Sequence, residues 1–170
     1  GDGNWKAENS ELHPNILKDT RYIYCKDEQT LLNKFLQYWS SFPPDIVTGW
    51  NIEMFDIPYL VNRINRIGLD AKKLSPWRFI QERKIHTRHG EEQVYRIEGV
   101  DQLDYLSMYR KNKIQESYRL DFIGQVELGE RKLDYSESQG LHNLYFDNYQ
   151  KFIDYNIQDV NLVKRLDEKL

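Results

Sequence analysis

Residues 45–68 read DIVTGWNIEMFDIPYLVNRINRIG, and this stretch decides the fold class. The letters DIVTG form a β-branched run that closes at Gly49, which predicts a short buried strand. Apolar residues from Ile57 to Ile67 then recur at helical spacing, and Gly68 is a typical C-terminal stop for a helix. A strand followed at once by a helix indicates an α/β domain.

Asp56 lies between this predicted strand and this predicted helix. An Asp at a helix start, followed by a proline in the first turn, is an ordinary N-cap that needs no further function. Alternatively, the strand end and the helix start project Asp56 into a crevice at the carboxyl edge of the sheet, where open α/β sheets bind ligands. The residue types alone leave both interpretations open.

The same patterns predict elements on both sides of this stretch. Residues 1–20 are polar and lack periodicity, so they are predicted to be a linker or loop, with one domain over residues 21–170. Strand-favouring residues flank a turn at His89-Gly90 and predict a β-hairpin. The remaining predictions are strands at 22–24 and 99–103, helices at 28–39, 104–109, 117–128 and 148–170, and loop over most of 130–147.

The last predicted helix carries a second notable carboxylate, Asp159. At 100° per residue, Phe152 and Leu166 each lie about 20° from Asp159 around the helix axis, which places an ionised group within the apolar stripe. Such a group is costly unless a metal ion or a cation compensates it. Tyr155 lies one turn earlier on the same face. The alternatives are that Asp159 pairs with a basic residue or lies at the edge of the stripe, and that Tyr155 is an ordinary core residue.

Bulk properties exclude some classes of protein. The net charge is −3, so nucleic-acid binding would have to come from a local basic surface. Cys25 is the single cysteine and has no partner for an internal disulfide, which fits a reducing compartment. No apolar run is long enough to span a membrane. We therefore expect an intracellular, cytoplasmic protein without a membrane partner.

Two segments of the chain resemble a known family. Residues 49–59, GWNIEMFDIPY, resemble the second exonuclease motif of the family B DNA polymerases, and Tyr155-Asn156-Ile157-Gln158-Asp159 resembles the third. The segments LDYL at 103–106 and LDFI at 120–123 are similar to the T-even bacteriophage type of this family. For Asp104, within the first of these two segments, we expect the plain role of capping the next helix.

The resemblance implies a partial ribonuclease H-like 3′–5′ exonuclease domain of the α/β class, with a protruding β-hairpin. It implies that Asp56 and Asp159 bind two divalent ions, Mg²⁺ or Mn²⁺, and that Tyr155 orients the attacking water. Lys132 would contact phosphate near the cut, although a lysine in a polar loop is usually only solvated. If the source is a phage, the location would be the bacterial host cytoplasm.

The implied DNA contacts fall into two groups. Asn51 and Phe55 would hold the frayed primer end, although both could instead pack the strand–helix junction. Arg119 replaces the hydroxyl residue that the family places before Leu120, so a single-strand contact there is only an expectation. The hairpin cations could meet phosphates near the primer–template junction, or they could belong to a solvated hairpin. These hairpin residues are Arg83, Lys84, Arg88 and Arg96.

The chain departs from the family pattern before Asp56, where the first exonuclease motif has no counterpart. We therefore expect a fragment that lacks two metal-binding carboxylates and the central strand, and that has little or no nuclease activity alone. Its partners would be single-stranded and primer–template DNA and the remainder of the polymerase chain. An open sheet edge would also favour dimerisation of the isolated fragment. The alternatives are a single-stranded DNA-binding fragment without catalysis and a standalone exonuclease of the same superfamily.

Overall fold

The structure is a computed structural model that describes residues 4–18, 20–87, 90–129 and 140–169. Contacts divide the chain into two compact units. The terminal unit comprises Gly1–Tyr24 and Gln115–Leu170, and the central unit comprises Cys25–Ile114. The elements in chain order are α1 Pro14–Leu17, α2 Glu28–Ser41, β1 Ile46–Gly49, α3 Ile57–Arg66, β2 Ile80–Thr87, β3 Gly90–Ile97, β4 Asp101–Asp104, α4 Tyr105–Asn112, α5 Leu120–Leu128, α6 Leu141–Asp147 and α7 Tyr149–Lys169.

The central unit contains all four strands of the described chain. Strand β1 pairs in parallel with β4, from Ile46 opposite Asp101 to Gly49 opposite Asp104. Strands β2 and β3 pair antiparallel, from Ile80 opposite Ile97 to Thr87 opposite Gly90. The parallel pair is possible because the long connection through α3 and the antiparallel pair returns the chain to the same end of the sheet.

The core of the central unit comes from the apolar faces of two helices and the residues that join them to the strands. Helix α2 begins at the N-cap Asp27, whose carboxylate accepts a hydrogen bond from the Thr30 N–H at 2.7 Å. Helix α3 shows the apolar spacing that the sequence predicts, and the chain leaves it through the left-handed Gly68 (φ 82°). The buried apolar residues of this core are Leu32, Leu36, Ile52, Ile57, Val61, Ile64, Ala71, Leu74, Ile97 and Val100.

The terminal unit is built around α7. Helices α5 and α6 both pack against α7, and its residues Leu162 and Leu166 are completely buried. The predicted long final helix is thereby confirmed, with a start at Tyr149. Helix α6 falls in the region predicted to be mostly loop, because its seven residues are too few to show a helical repeat.

Residues 1–20, predicted to be a linker or loop, are irregular over much of their described part but contain two short helical segments. A short 3₁₀ turn at Ala7–Asn9 and helix α1 lie here, and Trp5 and Leu12 are buried. The Trp5 indole N–H donates to Asp154 of α7 at 2.7 Å, which satisfies the one polar atom of a buried ring. The polar composition of residues 1–20 did not predict that Trp5 and Leu12 would be buried.

Two smaller predictions were wrong. Tyr22–Tyr24 is not a strand, since it pairs with no strand among the described residues. Helix α5 begins at Leu120 rather than at Ser117, because Ser117 Oγ instead accepts the Arg119 N–H at 3.4 Å before the first turn. The described chain is nevertheless a mixed α/β structure, as expected. No helix in the described ranges combines the length and apolar character needed to cross a bilayer.

Candidate active site

Residues 50–56 form the loop between β1 and α3; we call it the exonuclease loop, after the motif that it resembles. Asn51 has left-handed backbone angles (φ 71°, ψ 30°), and Ile52–Asp56 then form a π-helical turn. Gly49 is required at the strand end because a Cβ there would overlap the Ile52 Cγ2 methyl group. Asn tolerates the left-handed region better than most residues, so the loop geometry by itself explains the residue types at both positions.

Asp104 holds the exonuclease loop from the neighbouring strand. Its carboxylate accepts hydrogen bonds from the backbone N–H groups of Asn51 at 3.0 Å and Glu53 at 3.2 Å. The same carboxylate accepts from Leu106 at 2.9 Å, which confirms the predicted capping of α4. Asp104 is only 4% exposed. One buried carboxylate therefore joins the carboxyl ends of both parallel strands and the first turn of α4.

Asp56 lies at the last position of the π-helical turn and is exposed at the surface. It adopts right-handed helical angles and accepts no N-cap hydrogen bond, so the ordinary capping interpretation is wrong. Within the described ranges its carboxylate forms no ion pair. Partial loss of hydration raises the pKa of the Asp56 carboxyl, and the negative charge of Asp104 raises it further. A cation at this carboxylate would relieve both costs.

Phe55 and Tyr59 form an exposed aromatic pair beside Asp56. The Phe55 side chain is 64% exposed, so it does not pack the strand–helix junction. Its ring stacks on Tyr59 with centroids 6.3 Å apart and an interplanar angle of 11°. Asn51, by contrast, is half-buried within the loop. Of these two predicted DNA-binding residues, only Phe55 is exposed.

The cations of the antiparallel pair separate by strand face. Arg83 and Arg96 line a cavity of about 580 Å³ together with Glu53 and Met54 of the exonuclease loop. Lys84 forms a cross-strand ion pair with Glu91 at 3.8 Å. Adjacent strand residues face opposite sides of a sheet, so Arg83 and Lys84 cannot share one binding surface. Arg88 lies outside the described residues.

The terminal unit carries the remaining predicted residues. Tyr155 is buried and Asp159 is half-buried, and their four-residue spacing on the continuous helix α7 places them on one face. Arg119 is exposed at the N-cap of α5, where its side chain makes no capping bond. Lys132 lies outside the described residues.

Sequence reasoning missed Asp154, which fixes helix α7 to the start of the chain. This carboxylate is 1% exposed. It accepts from the Trp5 indole N–H, from the Ser10 hydroxyl at 2.8 Å and from the Glu11 N–H at 3.1 Å. Asp154 immediately precedes Tyr155, so these bonds also fix the rotation of the helix face that carries Tyr155 and Asp159. No local pattern signals this role.

The described residues contain no group of three or more His, Cys, Asp or Glu side chains close enough to share a metal ion. Asp56 and Asp159 belong to different units, and each supplies hard oxygen donors of the kind that Mg²⁺ and Mn²⁺ prefer. The donor chemistry therefore suits a divalent ion, while the described residues provide only part of a ligand set.

Comparison with known proteins agrees with the motifs. The sequence model of the family described as DNA polymerase family B, exonuclease domain, matches residues 4–123. The DNA-directed DNA polymerase of Escherichia phage RB69 is 37% identical over 163 residues, which cover 94% of this chain and 18% of that protein. The DNA-directed DNA polymerase of Enterobacteria phage T4 is 34% identical over 162 residues, which cover 93% of this chain and 18% of that protein. The DNA polymerase delta catalytic subunit of Candida albicans is 29% identical over 155 residues, which cover 84% of this chain and 15% of that protein. The chain thus spans less than a fifth of the length of these relatives.

Proposed function

This chain belongs to the family B DNA polymerase exonuclease domains, and we propose that it is part of a proofreading 3′–5′ exonuclease. The reaction is hydrolysis of the terminal phosphodiester bond of a DNA 3′ end. Water attacks phosphorus, the bond to the 3′ oxygen of the preceding nucleotide breaks, and a nucleoside monophosphate leaves. The polymerase activity of the parent protein would then extend the corrected end.

The observation that carries the proposal is the state of Asp56. A loop with a left-handed residue and a π-helical turn holds this carboxylate at the carboxyl end of β1, exposed and without an ion-pair partner among the described residues. Loss of hydration raises the pKa of this carboxyl, and together with the charge of Asp104 it outweighs the hydrogen bond from the backbone N–H of Asp56 itself. Such a carboxylate is suited to binding a cation, as site residues with shifted pKa values often are.

The proposal extends to the other candidate residues. Asp56 and Asp159 would hold Mg²⁺ or Mn²⁺, and the bound ions would activate the attacking water and neutralise charge on the phosphate. Tyr155, one turn from Asp159, would orient the water through its hydroxyl. Phe55 would stack on the terminal base through its exposed ring, because an unpaired base exposes its π surface. Asn51, Arg119 and Lys132 remain proposed DNA contacts.

The finer description of the fold belongs to the same proposal. Strands β1 and β4 would be neighbouring strands of a ribonuclease H-like sheet, and β2 and β3 would form the hairpin that separates primer from template. Arg83 would then contact phosphates from the cavity side, together with Arg96. The remainder of a polymerase chain would be a partner, and the open edge of β1 would permit dimerisation. The expected place of action is the cytoplasm of the cell that replicates the DNA.

A second candidate is single-stranded DNA binding without catalysis. One observation favours it: the described residues do not gather three metal ligands. In this case the aromatic and basic side chains would hold the strand, and Asp56 and Asp159 would be dispensable.

The test uses the whole chain, 5′-labelled single-stranded DNA, and Mg²⁺ or Mn²⁺. We expect at most a slow ladder of 3′-shortened products, because the described ligand set is incomplete. Asp56→Ala and Asp159→Ala should each abolish the ladder, whereas the surface control Asp147→Ala should keep it. Degradation that persists in Asp56→Ala would contradict the role of this carboxylate. DNA binding that survives both substitutions, with no ladder from any protein, would favour the second candidate.

A further inference from the structure

The segment Lys72–Phe79 of the central unit, KKLSPWRF, has an unusual surface composition. Trp77 is 71% exposed and Phe79 is 56% exposed, although large aromatic side chains are normally buried. Three cations, Lys72, Lys73 and Arg78, are exposed in the same eight residues, and the segment contains no acidic residue. The combination of exposed aromatic rings with exposed positive charge is typical of surfaces that bind single-stranded nucleic acid.

Hydrogen bonds of the Ser75 hydroxyl and close packing against Gly99 hold this segment in place. The Ser75 hydroxyl donates to the Glu98 carbonyl at 2.6 Å and accepts from the Trp77 N–H at 3.1 Å. Behind the turn, a Cβ at Gly99 would lie 2.6 Å from the Pro76 ring, so only glycine fits there. The two exposed aromatic residues therefore belong to a segment whose backbone conformation is fixed by these contacts.

Arg78 adds a second, independent observation. It has a φ of 58°, in the left-handed region that a residue with a Cβ rarely adopts. Its N–H donates to the Ser75 carbonyl at 3.1 Å, and within the described ranges its guanidinium forms no ion pair. Glycine would suit this backbone better, so the arginine is not explained by the fold. Strained positions of this kind concentrate at binding sites.

We propose that Lys72–Phe79 is a binding surface for single-stranded DNA, separate from the exonuclease loop. Trp77 and Phe79 stack on unpaired bases, and Arg78 with Lys72 and Lys73 contacts phosphates. The whole chain has a net charge of −3, so this segment with three exposed cations differs in charge from the rest of the chain. The choice of DNA rests on the proposed function.

The test measures equilibrium binding of the whole chain to a labelled oligo-dT strand by fluorescence anisotropy, in EDTA so that no cleavage occurs. Trp77→Ala should weaken binding by about tenfold, as expected for loss of one stacked base. Tyr38→Ala is the matched control, because Tyr38 is a similarly exposed aromatic residue outside this segment. It should leave the affinity unchanged. Binding of duplex DNA should not depend on Trp77, since paired bases offer no free faces.

Arg78→Gly separates binding from folding. The substitution relieves the left-handed backbone, so the melting temperature should stay equal or rise by up to about 4 °C. In the same protein, binding should weaken, and the slope of log affinity against log salt should fall by about 0.7, the loss of one phosphate contact. A residue with only a structural role would not combine an unchanged or higher melting temperature with weaker binding.

The contrary outcomes are distinct from those of the nuclease assay. The proposal is overturned if the wild-type chain does not bind oligo-dT, or if Trp77→Ala and Arg78→Gly bind as tightly as the wild type. It is also overturned if Tyr38→Ala weakens binding as much as Trp77→Ala does. Loss of the 3′-degradation ladder in Asp56→Ala and Asp159→Ala could still be observed in each of these cases, so the two proposals can fail separately.

Discussion

Replacing Asp104 should destabilise the central unit far more than the loss of an ordinary helix cap. The carboxylate accepts three backbone N–H bonds of 3.2 Å or less, two from the exonuclease loop and one from α4. In Asp104→Ala these three donors would lose their acceptor. Water could not easily replace it, because Asp104 is only 4% exposed. Aspartate N-caps elsewhere on the surface lack the two loop bonds, so the difference between the two kinds of cap is measurable.

The magnitude follows from these bonds. Loss of an N-cap costs about 1 kcal/mol. Hydrogen bonds to a charged group contribute about 1.5–3 kcal/mol each, and the exposed position of Glu53 reduces its share because water can replace the acceptor. We therefore expect Asp104→Ala to lower the free energy of unfolding by ~3 kcal/mol. Asp104→Asn keeps one carbonyl acceptor but places an amide against a donor, and it should cost about half as much.

The assay is urea denaturation followed by tryptophan fluorescence and far-ultraviolet circular dichroism. For a slope of ~2 kcal/mol per molar urea, Asp104→Ala should shift the midpoint of the central unit by about 1.5 M. The control is Asp27→Ala, which removes an exposed N-cap whose carboxylate accepts from the Thr30 N–H and has its other contacts with the Thr30 hydroxyl and Lys26, not with a distant loop. If Asp104→Ala costs no more than Asp27→Ala, the two loop bonds contribute nothing and the argument for Asp104 as the anchor of the exonuclease loop is refuted.

Three further predictions concern single substitutions. Gly49→Ala should destabilise by about 1–3 kcal/mol, measured by the same urea titration, because its Cβ would overlap the stiff Ile52 side chain; unchanged stability would show that the loop can shift. Asp154→Asn should lower stability by about 1–3 kcal/mol and increase proteolytic cleavage near Glu11, because an amide cannot accept all three of the bonds now made; equal cleavage of both proteins would contradict this. Asp56→Asn should stabilise the protein at neutral pH, because folding raises the pKa of this carboxyl and stability therefore falls as pH rises from the unfolded-state pKa through the raised folded one. That gain should vanish in acid, where both forms are neutral, and a gain that is independent of pH would refute the assigned cause.

The sequence located the candidate functional segment because the information in this segment is local. The run from Asp45 to Gly68 carries the strand, the turn and the helix in consecutive letters. The strand forms as predicted but is not buried, since Ile46 is 58% exposed. The same holds for α7, whose repeat placed Tyr155 and Asp159 on one face. Elements shorter than two turns, such as α6, and contacts between residues distant in sequence carry no repeat and were not predicted.

The sequence by itself therefore determined the α/β class, the family motifs and the identity of Asp56 and Asp159 as candidate residues. Tertiary structure alone decided that Asp104 anchors the exonuclease loop and that Asp154 binds the start of the chain. In each case the bonded residues are far apart in sequence, with separations of 53 between Asn51 and Asp104 and 149 between Trp5 and Asp154. The physical reason is that a buried carboxylate is stable only where the fold delivers several donors to it, and local periodicity does not record which distant donors arrive.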